Sequence, residues 1–305
     1  MNKKTDPIKV SVCVVTYNQE QYIRQCLESL ANQEIGCRYE IIVSDDASTD
    51  KTPDIIVELS EKYPLKITPI LHKTNMGASK NYISAHKKAR GDFVCHVDGD
   101  DYALPFKLEK QTRFLEDHPS CSAVAHQVKI LKQKGLDGET QTNPDLIDLK
   151  YLLLNHPCFL NSSIMYRRAL SEDFLDNDVE FIDFLTYISL AKHGPIGFIN
   201  EPLAVYRAGI GVSSSLKMMK FIQQAIDRAE ETEVSDDVIK RARAKQYFSY
   251  SIAHLLKDEL EKFREYIDTA KRLNPENTKI IIFFNLRQFP SLLKAAVIIF
   301  KKLKH

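Results

Sequence analysis

The amino-acid sequence predicts an α/β fold in which a mostly parallel sheet is flanked by helices and followed by a C-terminal helical extension. Over the first hundred residues, short apolar runs rich in β-branched residues alternate with segments whose apolar residues recur at helical spacing. The resulting order, β-α-β-α-β-α-β, requires right-handed crossovers that place helices on both faces of the sheet. From Leu216 onward the apolar spacing is helical almost throughout.

The elements of this first part follow one another closely. They are strand Val10–Thr16, a helix with Tyr22, Ile23, Cys26, Leu27 and Leu30 on its apolar face, strand Tyr39–Ser44, helix 52–63, strand Leu65–Leu71, helix Ala78–Ala89 and strand Phe93–Val97. Ligands of parallel sheets bind outside the carboxyl ends of the strands. The candidate functional loops are therefore Thr16–Gln19, Asp45–Thr52, His72–Gly77 and Asp98–Leu104.

Beyond the fourth strand the apolar pattern is less regular. We expect a helix over 105–117 with Phe106, Leu108, Phe114 and Leu115 facing inward, a strand over Ser122–Leu131, a mobile surface loop over Lys132–Lys150, short strands over 160–168, 195–200 and 203–206, and a helix near 180–193. The change to continuous helical spacing places a domain boundary near residue 215. It separates an α/β domain, residues 1–215, from a helical domain, residues 216–305.

Composition excludes several classes of protein. Forty-two Lys and Arg against 41 Asp and Glu leave a formal net charge of +1, which gives no reason to expect a nucleic-acid partner. The six cysteines form no CxxC pair, so we expect free thiols in a reducing cytosol. No apolar run approaches the roughly 20 residues of a membrane span, and the start of the chain does not resemble a signal peptide. We therefore expect a cytoplasmic protein.

Three carboxylates follow the predicted fourth strand, in the sequence Asp98-Gly99-Asp100-Asp101. Carboxylates this close together at a strand end are costly unless a cation neutralises them. Oxygen ligands suit Mg²⁺ or Mn²⁺, which keep open positions for the phosphates of a substrate. The alternative is a solvated acidic turn in which Gly99 supplies an unusual backbone angle. The position at the carboxyl end of a buried strand favours the metal site.

A second polar stretch, Asp45–Asp50, follows the predicted second strand. Asp46 is suited to accept hydrogen bonds from a base or ribose, and Asp45 shares its position at the ligand edge. We interpret Ser48–Asp50 as turn and helix-cap residues. The chain has no GxGxxG and no GxxxxGK[ST] motif, which argues against a dinucleotide fingerprint or a P-loop. Phosphate should then be bound by metal and by cations such as Lys80.

Taken in order, these motifs resemble a family 2 glycosyltransferase of the GT-A fold. The resemblance covers about residues 8–215 and depends on the ordered set, because each motif alone is weakly specific. Its blocks are Val12-Cys13-Val14-Val15-Thr16-Tyr17-Asn18, Ser44-Asp45-Asp46-Ala47-Ser48-Thr49-Asp50, Asn75-Met76-Gly77 with Lys80-Asn81, Val97-Asp98-Gly99-Asp100-Asp101, Asn161-Ser162-Ser163-Ile164-Met165-Tyr166-Arg167-Arg168 and Glu201-Pro202-Leu203-Ala204-Val205-Tyr206-Arg207. The family implies inverting transfer of a sugar from a nucleotide-diphosphate donor.

The resemblance also implies roles for individual residues. Tyr17 would pack on the base and Asp46 would hydrogen-bond it, while Asp98 would lie near the ribose. Asp100 and Asp101 would hold the divalent metal, Mg²⁺ or Mn²⁺, that bridges the two phosphates. The full set implied to bind the nucleotide-sugar is Thr16, Tyr17, Asn18, Asp45, Asp46, Lys80, Asp98 and Arg207.

Inverting transfer needs a general base that takes the proton of the acceptor hydroxyl. The base must lie across the sugar from the leaving diphosphate, so we expect it outside the first hundred residues. The family has an acid at the start of a late helix, and Asp183 matches this position best. Glu180 and Asp178 are the alternative bases, since Ile182 stands where a second acid is common. A structural alternative is that the helix dipole favours acids there.

The chain departs from the family pattern after Arg207, where many relatives have a histidine. The sequence continues Ala208-Gly209-Ile210-Gly211-Val212-Ser213, so we expect no further metal ligand from this position. The glycines suggest a flexible loop that closes over the donor. Two interpretations of Arg207 stay open, a contact with phosphate and a contact with a buried acid.

The C-terminal segment Ser291–His305 combines a wide apolar face with Lys294, Lys301, Lys302 and Lys304. It is too short to cross a bilayer but suits an interfacial helix on an anionic surface. The alternative is a packed terminal helix with a solvated basic end. A peripheral contact with the inner face of the membrane would suit a lipid-linked acceptor.

The sequence therefore predicts a metal-dependent inverting glycosyltransferase that uses a saccharide or lipid-linked acceptor in cell-surface polysaccharide synthesis. Two rival classes stay open. A nucleotidyltransferase should carry a Gly-rich basic loop after the first strand, where this chain has Tyr17-Asn18-Gln19-Glu20. A degenerate relative would bind nucleotide without turnover, and the intact acidic motif argues against it. Segments 132–150 and 155–163 are expected to help select the acceptor.

Overall fold

The computed structural model describes residues 7–132, 135–175, 183–209, 217–230 and 232–303. Within these ranges ten strands form one mixed sheet. The strands are β1 Val10–Thr16, β2 Tyr39–Asp45, β3 Ile67–Leu71, β4 Phe93–Asp98, β5 Tyr102–Ala103, β6 Ala123–Lys132, β7 Gly135–Glu139, β8 Leu146–Ile147, β9 Met165–Arg167 and β10 Ile196–Arg207. Their order is β3-β2-β1-β4-β9-β6-β10-β5, with β7 paired to β6 and β8 to β10.

Helices alternate with the first strands and then make up the C-terminal part. Up to residue 209 they are α1 Ile23–Ala31, α2 Thr52–Lys62, α3 Ala78–His86, α4 Lys107–Asp117, α5 Leu149–Asn155, α6 Glu172–Leu175 and α7 Asp183–Ala191, with 3₁₀ turns at Asn161–Ser163 and Arg168–Leu170. After residue 216 they are α8 Lys217–Ala229, α9 Asp236–Leu256, α10 Leu260–Leu273, α11 Thr278–Asn285 and α12 Pro290–Leu303.

The four strands β3, β2, β1 and β4 run parallel and lie next to one another, as the β-α-β order predicts. Alternate residues of β1 face opposite sides of the sheet. Val12 and Val14 pack in a core with the buried face of α1, whereas the Cys13 thiol donates to the Ala85 carbonyl oxygen of α3 at 3.6 Å. Pro69 lies in β3, the edge strand, where a missing backbone N–H costs least.

All six cysteines are free thiols, as predicted, and all but Cys37 are buried. Burial raises the pKa of the Cys13 and Cys26 thiols well above their ordinary value. These thiols therefore pack as small apolar side chains and carry no charge near neutral pH.

The segment after β4 differs from the sequence prediction in several places. Residues 132–150 are not a single loop, because β7, β8 and the start of α5 lie within them. The predicted strands 195–200 and 203–206 are one strand, β10, whose register shifts around Pro202. The predicted strand 160–168 is a 3₁₀ turn followed by β9, and β5 lies in the predicted loop after Asp98.

Phe106 is also placed differently from the prediction. It precedes α4 with φ of 65° and its side chain is 42% exposed. A residue outside the helix does not share the helical spacing, so its ring does not join Leu108 and Leu115 in the core. The helix therefore begins two residues after the expected position.

The chain divides into two compact units. The first comprises Met1–Leu152 with His156–Ser214, and the second comprises Leu153–Asn155 with Ser215–His305. The second unit is helical and has its own apolar core, which includes Leu255, Phe263 and Ile267. Among the helices of the described ranges, none is both long enough and apolar enough to span a membrane.

Candidate active site

The loops after β1 and β2 are joined by hydrogen bonds at the carboxyl edge of the sheet. The N–H of Asn18 donates to Ser48 Oγ, and the N–H of Thr49 donates back to Asn18 Oδ1, each at 2.8 Å. Asn18 has φ of 52°, in the left-handed region that asparagine tolerates. Asp50 Oδ1 accepts the N–H of Thr52 at 2.9 Å. Residues 48–50 therefore make the predicted turn, and Asp50 accepts from the first residue of α2, although the N-cap residue itself is Lys51.

Thr16, the last residue of β1, is buried, whereas Tyr17, which follows it, is exposed. The Tyr17 side chain is 46% exposed, so one face of its ring is available to stack against a planar ligand. Thr16 is buried and its hydroxyl donates to Gln19 Oε1 at 2.7 Å. A Cβ on Gly99 would lie 2.8 Å from Thr16 Cβ and 2.5 Å from Gln19 Oε1. Glycine at 99 therefore allows the acidic motif to approach the β1 loop closely.

Asp45 and Asp46 are buried, and their carboxylates hold neighbouring loops. Asp45 accepts hydrogen bonds from the backbone N–H and the hydroxyl of Ser48. Asp46 Oδ1 accepts the N–H of Met76 at 2.7 Å, and its Oδ2 accepts the N–H of Gly77 at 2.9 Å. Each carboxylate thus fixes the loop edge. A nucleoside contact by Asp45 or Asp46, through lone pairs these bonds leave open, stays a prediction.

The predicted cation Lys80 lies exposed in the first turn of α3. Its neighbour Asn81 is buried and donates to the Ser44 carbonyl oxygen at 3.0 Å and to that of Thr16 at 3.4 Å. Asn81 therefore ties α3 to the ends of β1 and β2. These bonds hold the backbone of Lys80 near the carboxyl edge of the sheet. A contact between Lys80 and phosphate stays a prediction.

The acidic motif begins at the end of β4. The side chain of Asp98 is 40% exposed, and its oxygens accept from His96 Nε2 at 3.2 Å and from Ser162 Oγ at 2.9 Å. Asp100 and Asp101 are buried. Asp101 Oδ1 accepts the N–H of Arg207 at 3.0 Å, while its buried Oδ2 has no hydrogen-bond partner among the described residues.

The electrostatics of the motif differ from one carboxyl to the next. Burial, and then the charge of Asp98, raises the pKa of Asp100 to about 6 and that of Asp101 to about 8. Burial also opposes ionisation of Asp98, but donation by His96 and Ser162 and the charge of Lys107 together hold the pKa of Asp98 below its usual value. One ionised carboxylate therefore lies beside two acids that need a positive partner to ionise fully.

These features fit a divalent cation. The unpartnered Asp101 Oδ2 supplies a buried oxygen ligand, and Asp100 supplies a second carboxylate beside it. Within the part of the chain that the structure describes, no cluster of three or more His, Cys, Asp or Glu side chains could hold a metal. Water and substrate oxygens would therefore complete the coordination, as Mg²⁺ and Mn²⁺ commonly require. Metal binding here stays a prediction.

Arg207, the last residue of β10, contacts the acidic motif Asp98–Asp101. Its buried guanidinium lies 4.9 Å from the ring centroid of Tyr22 and 5.0 Å from that of Tyr102. It donates Nη1 to the carbonyl oxygen of Asp100 and Nη2 to Gln25 Oε1. The guanidinium thus links the Asp100 carbonyl oxygen to Gln25 of α1, while the contact with a buried acid, Asp101, is made by the backbone N–H of Arg207. Its contact with phosphate stays a prediction.

Asp183 is the first residue of α7 and is half-buried. Burial, and next the charge of Asp98, raises the pKa of Asp183 to about 6. A carboxyl with such a pKa can exchange a proton near neutral pH. The alternative bases Glu180 and Asp178 lie outside the described residues, as do residues 210–213 of the glycine-containing loop.

Sequence reasoning missed the side chains that support the motif from inside. Lys107 is fully buried and donates to the Ser162 carbonyl oxygen, and the Ser162 hydroxyl holds Asp98. His96 lies two residues before Asp98 and therefore on the same face of β4. This spacing was a usable signal for His96, whereas no local pattern marks Lys107 as a buried cation.

The comparison with known families is decisive. The model of glycosyl transferase family 2 matches residues 11–175, more than half of the chain. The chain belongs to glycosyl transferase family 2. Among its relatives is the poly(ribitol-phosphate) beta-N-acetylglucosaminyltransferase TarS of Staphylococcus aureus, 29% identical over 312 residues, covering 92% of this chain and 52% of TarS. An uncharacterized protein of Mycobacterium tuberculosis is 37% identical over 201 residues, covering 65% of this chain and 58% of that protein.

The solved structures confirm the predicted GT-A fold. Residues 1–349 of S. aureus TarS in complex with UDP-GlcNAc give a TM-score of 0.70 at 22% identity, covering 94% of this chain and 88% of that one. The mannosyltransferase PcManGT of Pyrobaculum calidifontis, in complex with GDP-Man and Mn²⁺, gives 0.58 at 20% identity, covering 96% and 87%. The chain spans about half the length of the curated relatives it matches.

Proposed function

We propose that this chain is an inverting glycosyltransferase that moves a sugar from a nucleotide-diphosphate donor to an acceptor hydroxyl. The observation that carries the proposal is that the buried acids Asp100 and Asp101 and the exposed Tyr17 follow two adjacent parallel strands at one sheet edge. Such an edge offers a stacking surface for a base next to oxygens that suit a cation and its diphosphate. Membership of glycosyl transferase family 2 supports the same reading.

The nucleoside end is assigned to the loops after β1, β2 and β3. Tyr17 stacks on the base, Thr16 and Asn18 shape the loop that carries it, and Asp46 beside Asp45 hydrogen-bonds the nucleoside. The bonds that join these loops support this assignment, because a preformed site loses little entropy on binding. Lys80, Asp98 and Arg207 serve the phosphate and ribose portion.

A divalent cation, Mg²⁺ or Mn²⁺, is assigned to Asp100 and Asp101. When bound, it supplies positive charge that stabilises the leaving diphosphate. The two acids contribute the oxygen ligands, and Arg207 keeps their loop in place through the Asp100 carbonyl oxygen and the Asp101 carboxylate. The unpartnered Asp101 Oδ2 and the raised pKa of both acids support this assignment.

Asp183 is assigned as the general base. Its carboxylate takes the proton of the acceptor hydroxyl as that oxygen forms a bond to the anomeric carbon. The bond from the anomeric carbon to the diphosphate oxygen breaks on the opposite face, and the nucleotide diphosphate leaves with that electron pair. The pKa of about 6 supports the role, because a base works best near the pH of operation. Glu180 is the alternative base.

The acceptor is assigned to the class of cell-surface polysaccharides, either a saccharide or a lipid-linked chain. The relatives named for poly(ribitol-phosphate) glycosylation in S. aureus and Bacillus spizizenii support this class. We assign the protein to the cytoplasm. A contact with the inner membrane face through residues 291–305 is supported by α12, where Leu292 and Ile299 are exposed while Leu293 is buried. The lysine content of the segment favours anionic lipid, although Lys294 pairs with Asp258 at 2.6 Å.

Thermal shifts with UDP, GDP and their sugars, each with and without Mn²⁺, test the donor site. A rise in the melting temperature for one nucleotide family that requires Mn²⁺ is the expected result. Asp101→Ala should abolish the Mn²⁺-dependent rise in melting temperature and the transfer reaction while the protein stays folded. Asp117→Ala, at an exposed position on α4, is the matched control. Near-normal transfer by Asp101→Ala would refute the metal assignment, and binding without turnover would favour the degenerate relative.

A further inference from the structure

A row of buried rings leads from Asp98 into the interior of the first unit. His96 Nε2 lies 3.2 Å from Asp98 Oδ1, and His96 Nδ1 lies 3.1 Å from His86 Nε2. His86 Nδ1 in turn lies 2.7 Å from the hydroxyl of Tyr166. Both histidines and Tyr166 are at most 2% exposed. The row thus joins four side chains from β4, α3 and β9 without solvent between them.

When both imidazoles are neutral, the chemistry of the groups fixes the direction of every hydrogen bond in this row. An ionised carboxylate can only accept, so His96 Nε2 carries the proton that Asp98 receives. A neutral imidazole has one donor and one acceptor, which makes His96 Nδ1 the acceptor for His86 Nε2–H. His86 Nδ1 then accepts from the Tyr166 hydroxyl. One proton arrangement satisfies all four groups when both rings are neutral.

Packing keeps the rings in this arrangement. Tyr82 stacks on His86 with ring centroids 3.7 Å apart and planes 12° from parallel. The ring centroid of the same tyrosine lies 4.8 Å from that of His96, and the Tyr166 ring lies 5.9 Å from His86 with its plane 5° from parallel. Burial lowers the pKa of His86 well below its ordinary value, so its ring is neutral. Rotation of either histidine would break a buried hydrogen bond and the stacking together.

We propose that His96, supported by His86 and Tyr166, is a positioning residue that orients the Asp98 carboxylate to accept the ribose hydroxyls of the donor. His96 and Ser162 each occupy one lone pair of the carboxylate. The side chain remains 40% exposed, so the other lone pairs can accept hydrogen bonds from a bound diol. The inference rests on the proposed function, because it assigns a further residue to the donor site.

The proton arrangement is measured first, on the unmodified full chain with ¹⁵N-labelled histidine. Imidazole ¹⁵N–¹H correlation spectra at pH 7.5 distinguish the protonated ring nitrogen from the unprotonated one. We expect both His86 and His96 as the Nε2–H form, assigned by loss of each signal in His86→Phe and His96→Gln. A His96 ring protonated on Nδ1 alone would overturn the proposal, since it could not donate to Asp98.

The functional consequence is measured by titration with UDP and with 2′,3′-dideoxy-UDP in the presence of Mn²⁺, or with the GDP pair where UDP does not bind. His96→Ala should weaken binding of the ribonucleotide about tenfold and remove most of the preference over the dideoxy compound. His96→Gln, whose amide can still donate to Asp98, should recover most of this loss. His118→Gln, at an exposed histidine of the same unit, is the matched control.

The outcomes separate this proposal from the one it rests on. Equal weakening of both nucleotides in His96→Ala would indicate a purely structural role and overturn the positioning role. His86→Phe keeps a stacked ring but cuts the row, and an unchanged ribose preference in this variant would limit the role to His96 alone and overturn the support from His86. Failure of wild-type protein to bind UDP or GDP would refute the donor site itself, together with the role of His96.

Discussion

Replacing Arg207 should show how strongly one guanidinium holds the acidic loop. The side chain is 8% exposed and lies between the rings of Tyr22 and Tyr102. Each cation–π contact contributes about 1 kcal/mol in a partly desolvated site. Each hydrogen bond from the charged group, to the Asp100 carbonyl oxygen and to Gln25 Oε1, contributes roughly 1.5 kcal/mol. Since such terms do not add fully, we expect Arg207→Met to lower the free energy of unfolding by about 3–5 kcal/mol.

Arg207→Lys separates charge from shape. Lysine keeps the positive charge and one bond, but it lacks the planar fork that reaches two oxygens and lies flat between two rings. We expect it to lose about half of the effect, roughly 2 kcal/mol. Arg113→Met is the control, since the Arg113 side chain is 71% exposed and pairs with Glu109 on the surface of α4.

Urea unfolding followed by tyrosine fluorescence measures the effect, because the chain has 13 Tyr and no Trp. The transition of the first unit is the relevant one, since a chain with two units need not unfold in one step. Mn²⁺-dependent nucleotide binding is measured in parallel and should weaken in the same order, Met more than Lys. A free energy of unfolding for Arg207→Met within about 1 kcal/mol of wild type would show that Arg207 does not hold the acidic loop.

Three further predictions concern the same edge. Because Asp100 and Asp101 have a pKa raised above the unfolded value of about 4, the metal-free folded chain binds more protons than the unfolded chain between pH 4 and 8. The contribution of these acids to stability is therefore present at pH 4 and lost toward pH 8, and Mn²⁺ should restore it in melting curves at pH 8. Asp183→Asn should lower the turnover rate at least about 100-fold in steady-state assays and leave the Kd of UDP unchanged. Gly99→Ala should cost about 1–3 kcal/mol in urea unfolding, because its Cβ would overlap Thr16.

Each of these three predictions would be contradicted by a specific result. A metal-free melting temperature with the same dependence on pH between 5 and 8 in Asp101→Asn as in wild type would contradict the raised pKa of Asp101. If Asp183→Asn turns over within tenfold of wild type, another acid must be the general base. Asp117→Asn is the control. A Gly99→Ala protein as stable as wild type would mean that Thr16 and Gln19 can move away from the motif.

The part of the fold that the sequence predicts best is the part with regular periods. β1 was expected at Val10–Thr16 and lies there, because a fully buried parallel strand is a continuous apolar run. β7 and β8 were missed because short strands on the periphery of the sheet are held by backbone hydrogen bonds and need no apolar alternation. The break at Asn200–Pro202 reads as a loop in sequence, yet in β10 it is a shift of register.

The candidate site divides in a similar way. The acids at the strand ends could be found from sequence, since a parallel sheet brings these ends to one edge. The partners of Arg207 could not, because they come from α1, β5 and the motif itself, which are distant in the chain. No pattern in the local sequence marks Lys107 as a buried residue. Its burial depends on the position of Ser162, which the local sequence does not specify.

The buried Lys107 has a consequence for the charge of the acidic motif. With Asp98, Asp100 and Asp101 ionised as in the metal-bound site, these three acids and the two cations Lys107 and Arg207 have a formal charge of −1 together. Under the proposed function, a divalent cation and the doubly charged diphosphate of a nucleotide-sugar would enter this site as a pair with no net charge. Uptake of the pair should therefore depend little on ionic strength, whereas the nucleotide alone is repelled and the cation alone is attracted. If the proposed donor site is right, the two internal cations favour binding of the metal and the donor as a pair.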